Sequence, residues 1–101
     1  MFCELAQSAP EELAALVRQA AITDTRLTYA AEILGRDVQD GALVIPALRS
    51  LLKNPSPVVR EGAILGLSHH LTNEVRQALN RVAQEDPSPG VRETALDTLN
   101  D

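Results

Sequence analysis

Few side chains in this sequence have the type and spacing that chemistry demands. Cys3 is the sole cysteine. A thiol nucleophile needs a base beside it, and no histidine lies near Cys3 in the sequence. His69 and His70 suggest a metal site, but adjacent residues on a helix project about 100° apart and cannot share an ion as an i,i+4 pair does. His70 and Glu74 have that i,i+4 spacing, yet Thr72-Asn73 between them reads as a helix break. Both histidines are expected to be turn residues. Ser56, Ser88 and Thr72 each precede a helical pattern and are expected to cap it. There is no glycine-rich phosphate loop. The reading is therefore of a protein that is not an enzyme, with no catalytic, cofactor-binding or metal-binding residue.

The totals narrow the field further. The chain has 101 residues, a net charge of −5 and 45% hydrophobic residues, with Phe2 and Tyr29 as its only aromatics. That length is one domain, 1–101. A core of Leu, Val and Ala suits close-packed helices better than a sandwich or barrel. Nucleic-acid affinity depends on Lys and Arg releasing counterions, and single strands stack on aromatic rings. Both features are lacking. The single cysteine allows no internal disulfide and fits a reducing compartment. Met1–Gln7 is too short and acidic for a signal peptide. A cytoplasmic location is expected.

The elements come from periodicity and punctuation. Apolar residues at helical spacing, bounded by Ser, Thr, Asn, Pro and Gly, predict helices over about 9–22, 25–34, 43–53, 57–70, 73–85 and 89–99. Ser8 and Glu11 form a capping box for the first. Leu13, Leu16, Val17, Ala20 and Ala21 form its apolar stripe. Thr23 or Asp24 caps the second, and Gly35 ends it. Arg36–Gly41 is the longest connection. Pro46 is placed in the first turn of a helix that becomes regular near Val44, because an interior proline costs about 3 kcal/mol. Met1–Gln7 is expected to be one turn lying as a flap over the first helix.

The pattern repeats. Asn54-Pro55-Ser56-Pro57-Val58-Val59-Arg60-Glu61 returns thirty-two positions later as Asp86-Pro87-Ser88-Pro89-Gly90-Val91-Arg92-Glu93, and the match continues through Ala63/Ala95 and Leu67/Leu99. Segments 9–22, 43–53 and 73–85 superpose at thirty-one, aligning Leu13, Val44 and Val75. Helical repeats of this length stack into solenoids. The Pro-Ser-Pro-x-Val-Arg-Glu pattern resembles HEAT repeats, most nearly the short HEAT-like repeat also seen in phycobilisome lyases. The resemblance implies an all-α, α–α superhelix of about six helices in roughly three antiparallel pairs. Outer A helices would be 25–34, 57–70 and 89–99, and inner B helices 9–22, 43–53 and 73–85. It also implies that Arg60 and Arg92 bond to an acidic residue or carbonyl of the adjacent turn, Asp86 or Asn54 here.

Superposing the B helices aligns Arg18, Arg49 and Asn80, then Gln19, Ser50 and Arg81, then Ile22, Lys53 and Gln84. No acid falls in these rows, although the chain has acid in excess. The expected function is a protein–protein interaction module (adaptor, scaffold or assembly factor) with no cofactor. Its B-helix ridge of Arg18, Gln19, Arg49, Lys53, Gln77, Arg81 and Gln84 would meet another protein, such as an acidic segment. The resemblance supplies two alternatives, an accessory subunit of a chromophore lyase and a nucleic-acid-binding HEAT-like protein, the latter disfavoured by charge. The last helix has no B partner, so a homodimer through the uncapped end near Leu96 and Leu99 is a further expectation.

Overall fold

The computed structural model describes residues 2–19 and 22–100, so Met1, Asp101 and the stripe residues Ala20 and Ala21 lie outside it. Seven helices form among the described residues: α1 (Phe2–Ser8), α2 (Pro10–Gln19), α3 (Asp24–Asp37), α4 (Gly41–Leu51), α5 (Pro57–Leu67), α6 (Asn73–Glu85) and α7 (Pro89–Asn100). The all-α solenoid is as expected, with one helix more. In one layer α1, α3, α5 and α7 pack in succession, and in the other α2 packs on α4. One aliphatic core runs between the layers from Leu13 and Val17 through Leu34, Leu48, Ile64 and Leu67 to Leu79 and Val91, all fully buried.

The extra helix is α1, two turns rather than one. It buries Phe2 and Ala6 and covers α3 as well as α2. Phe2 meets the Tyr29 ring at a centroid distance of 5.9 Å, with the Arg26 guanidinium 5.7 Å from its own centroid. Because Ser8 belongs to this helix, its hydroxyl donates back to the Glu4 carbonyl at 2.7 Å and the expected capping box with Glu11 does not form. The Ala9 carbonyl instead accepts the first bonds of α2, from Glu12 and Leu13.

Gly35 does not end α3, which runs on to Asp37. The glycine is there for close approach. A Cβ on Gly35 would collide with the Gly66 backbone, and one on Gly66 would lie 2.6 Å from the Ala31 carbonyl oxygen. A Cβ on Gly62 would meet the Thr28 methyl at 2.6 Å. So α3 and α5 pack nearly backbone to backbone. Thirty-two positions on, Thr94 and Thr98 stand where α5 has Gly62 and Gly66. Their hydroxyls bond back to Gly90 and Thr94 at 3.0 and 2.9 Å, and α7 lies less tightly on α5.

Because α3 continues, the expected long Arg36–Gly41 connection shrinks to residues 38–40. The next helix also starts early. The Asp40 carboxylate caps α4 by accepting from Ala42 N–H at 3.1 Å, which leaves Pro46 inside the helix rather than in its first turn. Pro46 and Ala42, the residue whose carbonyl Pro46 cannot serve, are both exposed. The helix expected over 57–70 stops at Leu67, and the Ser56 hydroxyl makes no capping bond. The residue two places earlier closes the turn that leads into the helix: Asn54 Oδ1 accepts from Ser56 N–H, and Asp86 Oδ1 from Ser88 N–H, both at 2.9 Å. Thr72 caps α6 as expected, accepting from Val75 N–H at 3.2 Å.

A candidate interaction groove between helices

The two halves of the recurrent stretch meet in one buried cluster. Arg60 donates from Nε to Asp86 Oδ2 at 2.9 Å and from Nη2 to Oδ1 at 3.2 Å. Its Nη1 donates to the carbonyls of Asn54 and Pro55 at 2.7 and 3.1 Å. Both expected partners are therefore engaged at once. Arg60 and Asp86 are each only 8% exposed. A buried guanidinium and carboxylate lose hydration, so such a pair persists only when nearly every lone pair and proton finds a partner. The bidentate fork, the two carbonyls and the Ser88 amide meet that need. The clasp ties the turn before α7 to the start of α5. Arg92 repeats half of it, with Nη1 donating to the Asp86 carbonyl at 2.6 Å.

His70 also has a structural task. Its Nε2 lies 2.9 Å from the Gly35 carbonyl oxygen, near the C-terminal end of α3. That carbonyl accepts, so Nε2 carries the proton. His69 is exposed, and no group of three or more metal-ligating side chains occurs among the described residues. On the neighbouring turn, the Arg36 guanidinium donates to the Asp37 carboxylate at 2.8 and 3.1 Å. That hydrogen bond holds the Asp37 carboxyl below its ordinary range, against the opposing effect of burial.

A groove opens between two of the B helices, α4 and α6. While α2 and α4 pack closely, α6 makes its close backbone approach to α7 and stands off from α4. The gap is a groove of about 350 Å³. Its apolar lining comes from Leu52, Ala78, Val82 and Pro87, and its polar lining from Arg49, Lys53, Glu74, Gln77, Arg81, Glu85 and the clasp residue Asp86. Of the seven ridge residues expected to meet a partner, Arg49, Lys53, Gln77 and Arg81 come together here. Arg18 and Gln19 are exposed on α2, and Gln84 is exposed on α6, outside this lining.

The charge differs from a purely basic ridge. Arg49 pairs with Glu74, and Arg81 lies 3.9 Å from Glu85. The first pair spans 25 residues, fewer than the thirty-one that separate equivalent B-helix positions. Superposing the helices in register therefore sets Arg49 beside Asn80 and misses the acid. Both pairs are open to solvent, where an ion pair contributes less than about 1 kcal/mol. A partner can displace them at little cost. Lys53 has no ion pair among the described residues. The apolar floor was not singled out from the sequence, although Ala78 and Val82 stand four apart beside the core stripe of Val75 and Leu79. No helix among the described residues is long and apolar enough to cross a membrane.

Comparison with known proteins agrees with this architecture. The profile for HEAT repeats matches residues 4–100, nearly the whole chain. No curated protein and no solved structure gives a match.

Proposed function

Since the chain belongs to the HEAT-repeat family, we propose that it is a protein-binding adaptor or assembly module that works through the α4–α6 groove. HEAT repeats generally mediate protein–protein interaction and are typically non-enzymatic scaffolds. The observation that carries the reading is the groove itself. It has an apolar floor at Leu52, Ala78 and Val82 and a rim of opposite charges, with four of the ridge residues on its lining. Such a surface fits a protein segment with an aliphatic anchor for the floor and a carboxylate for Lys53. Glu74 and Glu85 add a preference for a basic group nearby, so the segment has mixed charge with at least one acid.

Charge reversal tests the proposal. Arg49, Lys53 and Arg81 are exposed, so the triple change Arg49→Glu, Lys53→Glu, Arg81→Glu leaves helicity intact by circular dichroism. It removes the proteins that the unaltered chain captures from its native extract. Capture of the same proteins in the same amounts by the triple variant sinks the reading. The chromophore-lyase alternative predicts a pigment-bearing protein among those captured.

A further inference from the structure

Ala78 and Val82 are open where the same positions one repeat earlier are closed. At the spacing of thirty-one they align with Ala47 and Leu51 of α4, which are 0% and 2% exposed. Ala78 and Val82 are only partly buried, although Val75 and Leu79 beside them are fully so. The difference lies in the neighbouring helix. On the corresponding side of α4 lies α2, packed closely, whereas α4 stands off from α6. So α6 keeps a helix-packing face that its neighbour leaves open. The groove lining follows that face along its length. Gln77, Ala78, Arg81, Val82 and Glu85 stand 3, 4, 7, 8 and 11 positions after Glu74, which is one side of a helix over about three turns, about 16 Å long.

The lining also limits the backbone it can receive. An extended segment brings one N–H and one C=O per residue, and each needs a partner once water is excluded. The side chains of Leu52, Ala78, Val82 and Pro87 supply none, and Gln77 is the only amide side chain in the lining among the described residues. A helix satisfies those groups within itself. We propose that the occupant of the groove is an amphipathic helix of about three turns, lying along α6 as α2 lies on α4. This rests on the groove as the binding surface and adds the form of the segment. Aliphatic side chains three and four residues apart sit over Ala78, Val82 and Leu52, with the small Ala78 leaving room for a large one. A carboxylate on one flank meets Lys53, which has no ion pair among the described residues. Basic residues toward its two ends meet Glu74 and Glu85, which stand at the two ends of α6.

Two synthetic peptides test the form of the occupant. Both carry leucines at that spacing, a central glutamate and terminal lysines. One is fixed as a helix by α-aminoisobutyrate at its outward positions, and the other has proline at an outward position in mid-length. The readout is the methyl NMR shifts of Ala78 and Val82 in the full chain, followed to millimolar peptide. The helical peptide is expected to saturate these shifts, and Lys53→Glu to weaken its binding about fivefold. The proline peptide is expected to bind about a hundredfold more weakly, because an interior proline breaks the helix. Equal binding of the two peptides, or no saturable shift with the helical one, overturns the proposal. So does a dimer of the chain alone that Lys53→Glu disperses, which gives the groove to a second copy. Capture from native extract judges the groove separately. A protein held at the groove, together with equal binding of the two peptides, keeps the groove and removes the helix. An extract in which no capture depends on the groove removes both.

Discussion

Replacing Asp86 by Ala removes one partner of the buried clasp and leaves the Arg60 guanidinium uncompensated at 8% exposure. Breaking a buried pair in this way costs about 3–5 kcal/mol. The lower end applies, because Arg60 keeps its bonds to the Asn54 and Pro55 carbonyls, so a loss of about 3 kcal/mol is expected. For a domain of this size each kcal/mol moves the midpoint by about 4–8 °C, so Tm falls by about 12–24 °C. Asp86→Asn keeps the acceptor for Ser88 N–H, as Asn54 does for Ser56, and costs about 1.5 kcal/mol. Adding Arg60→Met to Asp86→Asn removes the stranded charge, so the double variant is more stable than the sum of the singles requires. Urea and thermal unfolding followed by circular dichroism measure the unaltered protein, Asp86→Ala, Asp86→Asn, Arg60→Met and the double variant. A change below about 0.5 kcal/mol for Asp86→Ala, the size of an ordinary surface substitution, refutes the view that this clasp joins the repeats.

Gly35→Ala forces a Cβ into the Gly66 backbone and is expected to cost about 3 kcal/mol. Gly41→Ala meets only ordinary contacts, with the Ile45 methyl at 3.5 Å and His70 Nδ1 at 3.9 Å, and should gain about 0.4–1 kcal/mol, and urea midpoints separate the two. Pro46→Ala restores an amide within α4 at an exposed position and is expected to raise stability by about 1 kcal/mol or more by the same assay. The Asp37 carboxyl is held low by its Arg36 hydrogen bond. Its contribution is therefore present above the ordinary carboxylate range and is lost as pH falls through the folded-state value. Carboxyl NMR titration shows this directly, and Arg36→Met raises the Asp37 value with little effect on global stability, since Arg36 is exposed.

The recurrent stretch made the repeat legible because proline and serine at fixed offsets from Val, Arg and Ala mark a joint whose packing is local. The structure places Val59, Val91, Ala63 and Ala95 in the core and closes Arg60 on the residues named for it. The glycines were harder to read. Gly35 looks like a stop signal in isolation, and only the Gly66 backbone opposite shows why a Cβ is excluded inside the helix. Ser8 and Pro46 were misplaced for a related reason. Capping patterns identify a helix start but not the competing start a few residues earlier, here α1 and the Asp40 cap of α4. At the groove, the basic residues could be listed from register alone. That Glu74 and Glu85 join them depends on how α6 stands off from α4, which is a packing outcome between segments about thirty residues apart.

The most direct test of groove binding is site-specific photocrosslinking in native extract. A photoreactive residue is placed at Ala78 on the groove lining and, in a separate protein, at Val58 on α5, which is 53% exposed and lines no part of the groove. A discrete protein adduct is expected at Ala78 that is lost with the Arg49, Lys53 and Arg81 reversals, and none at Val58. Adducts at Val58 with none at Ala78 would contradict it.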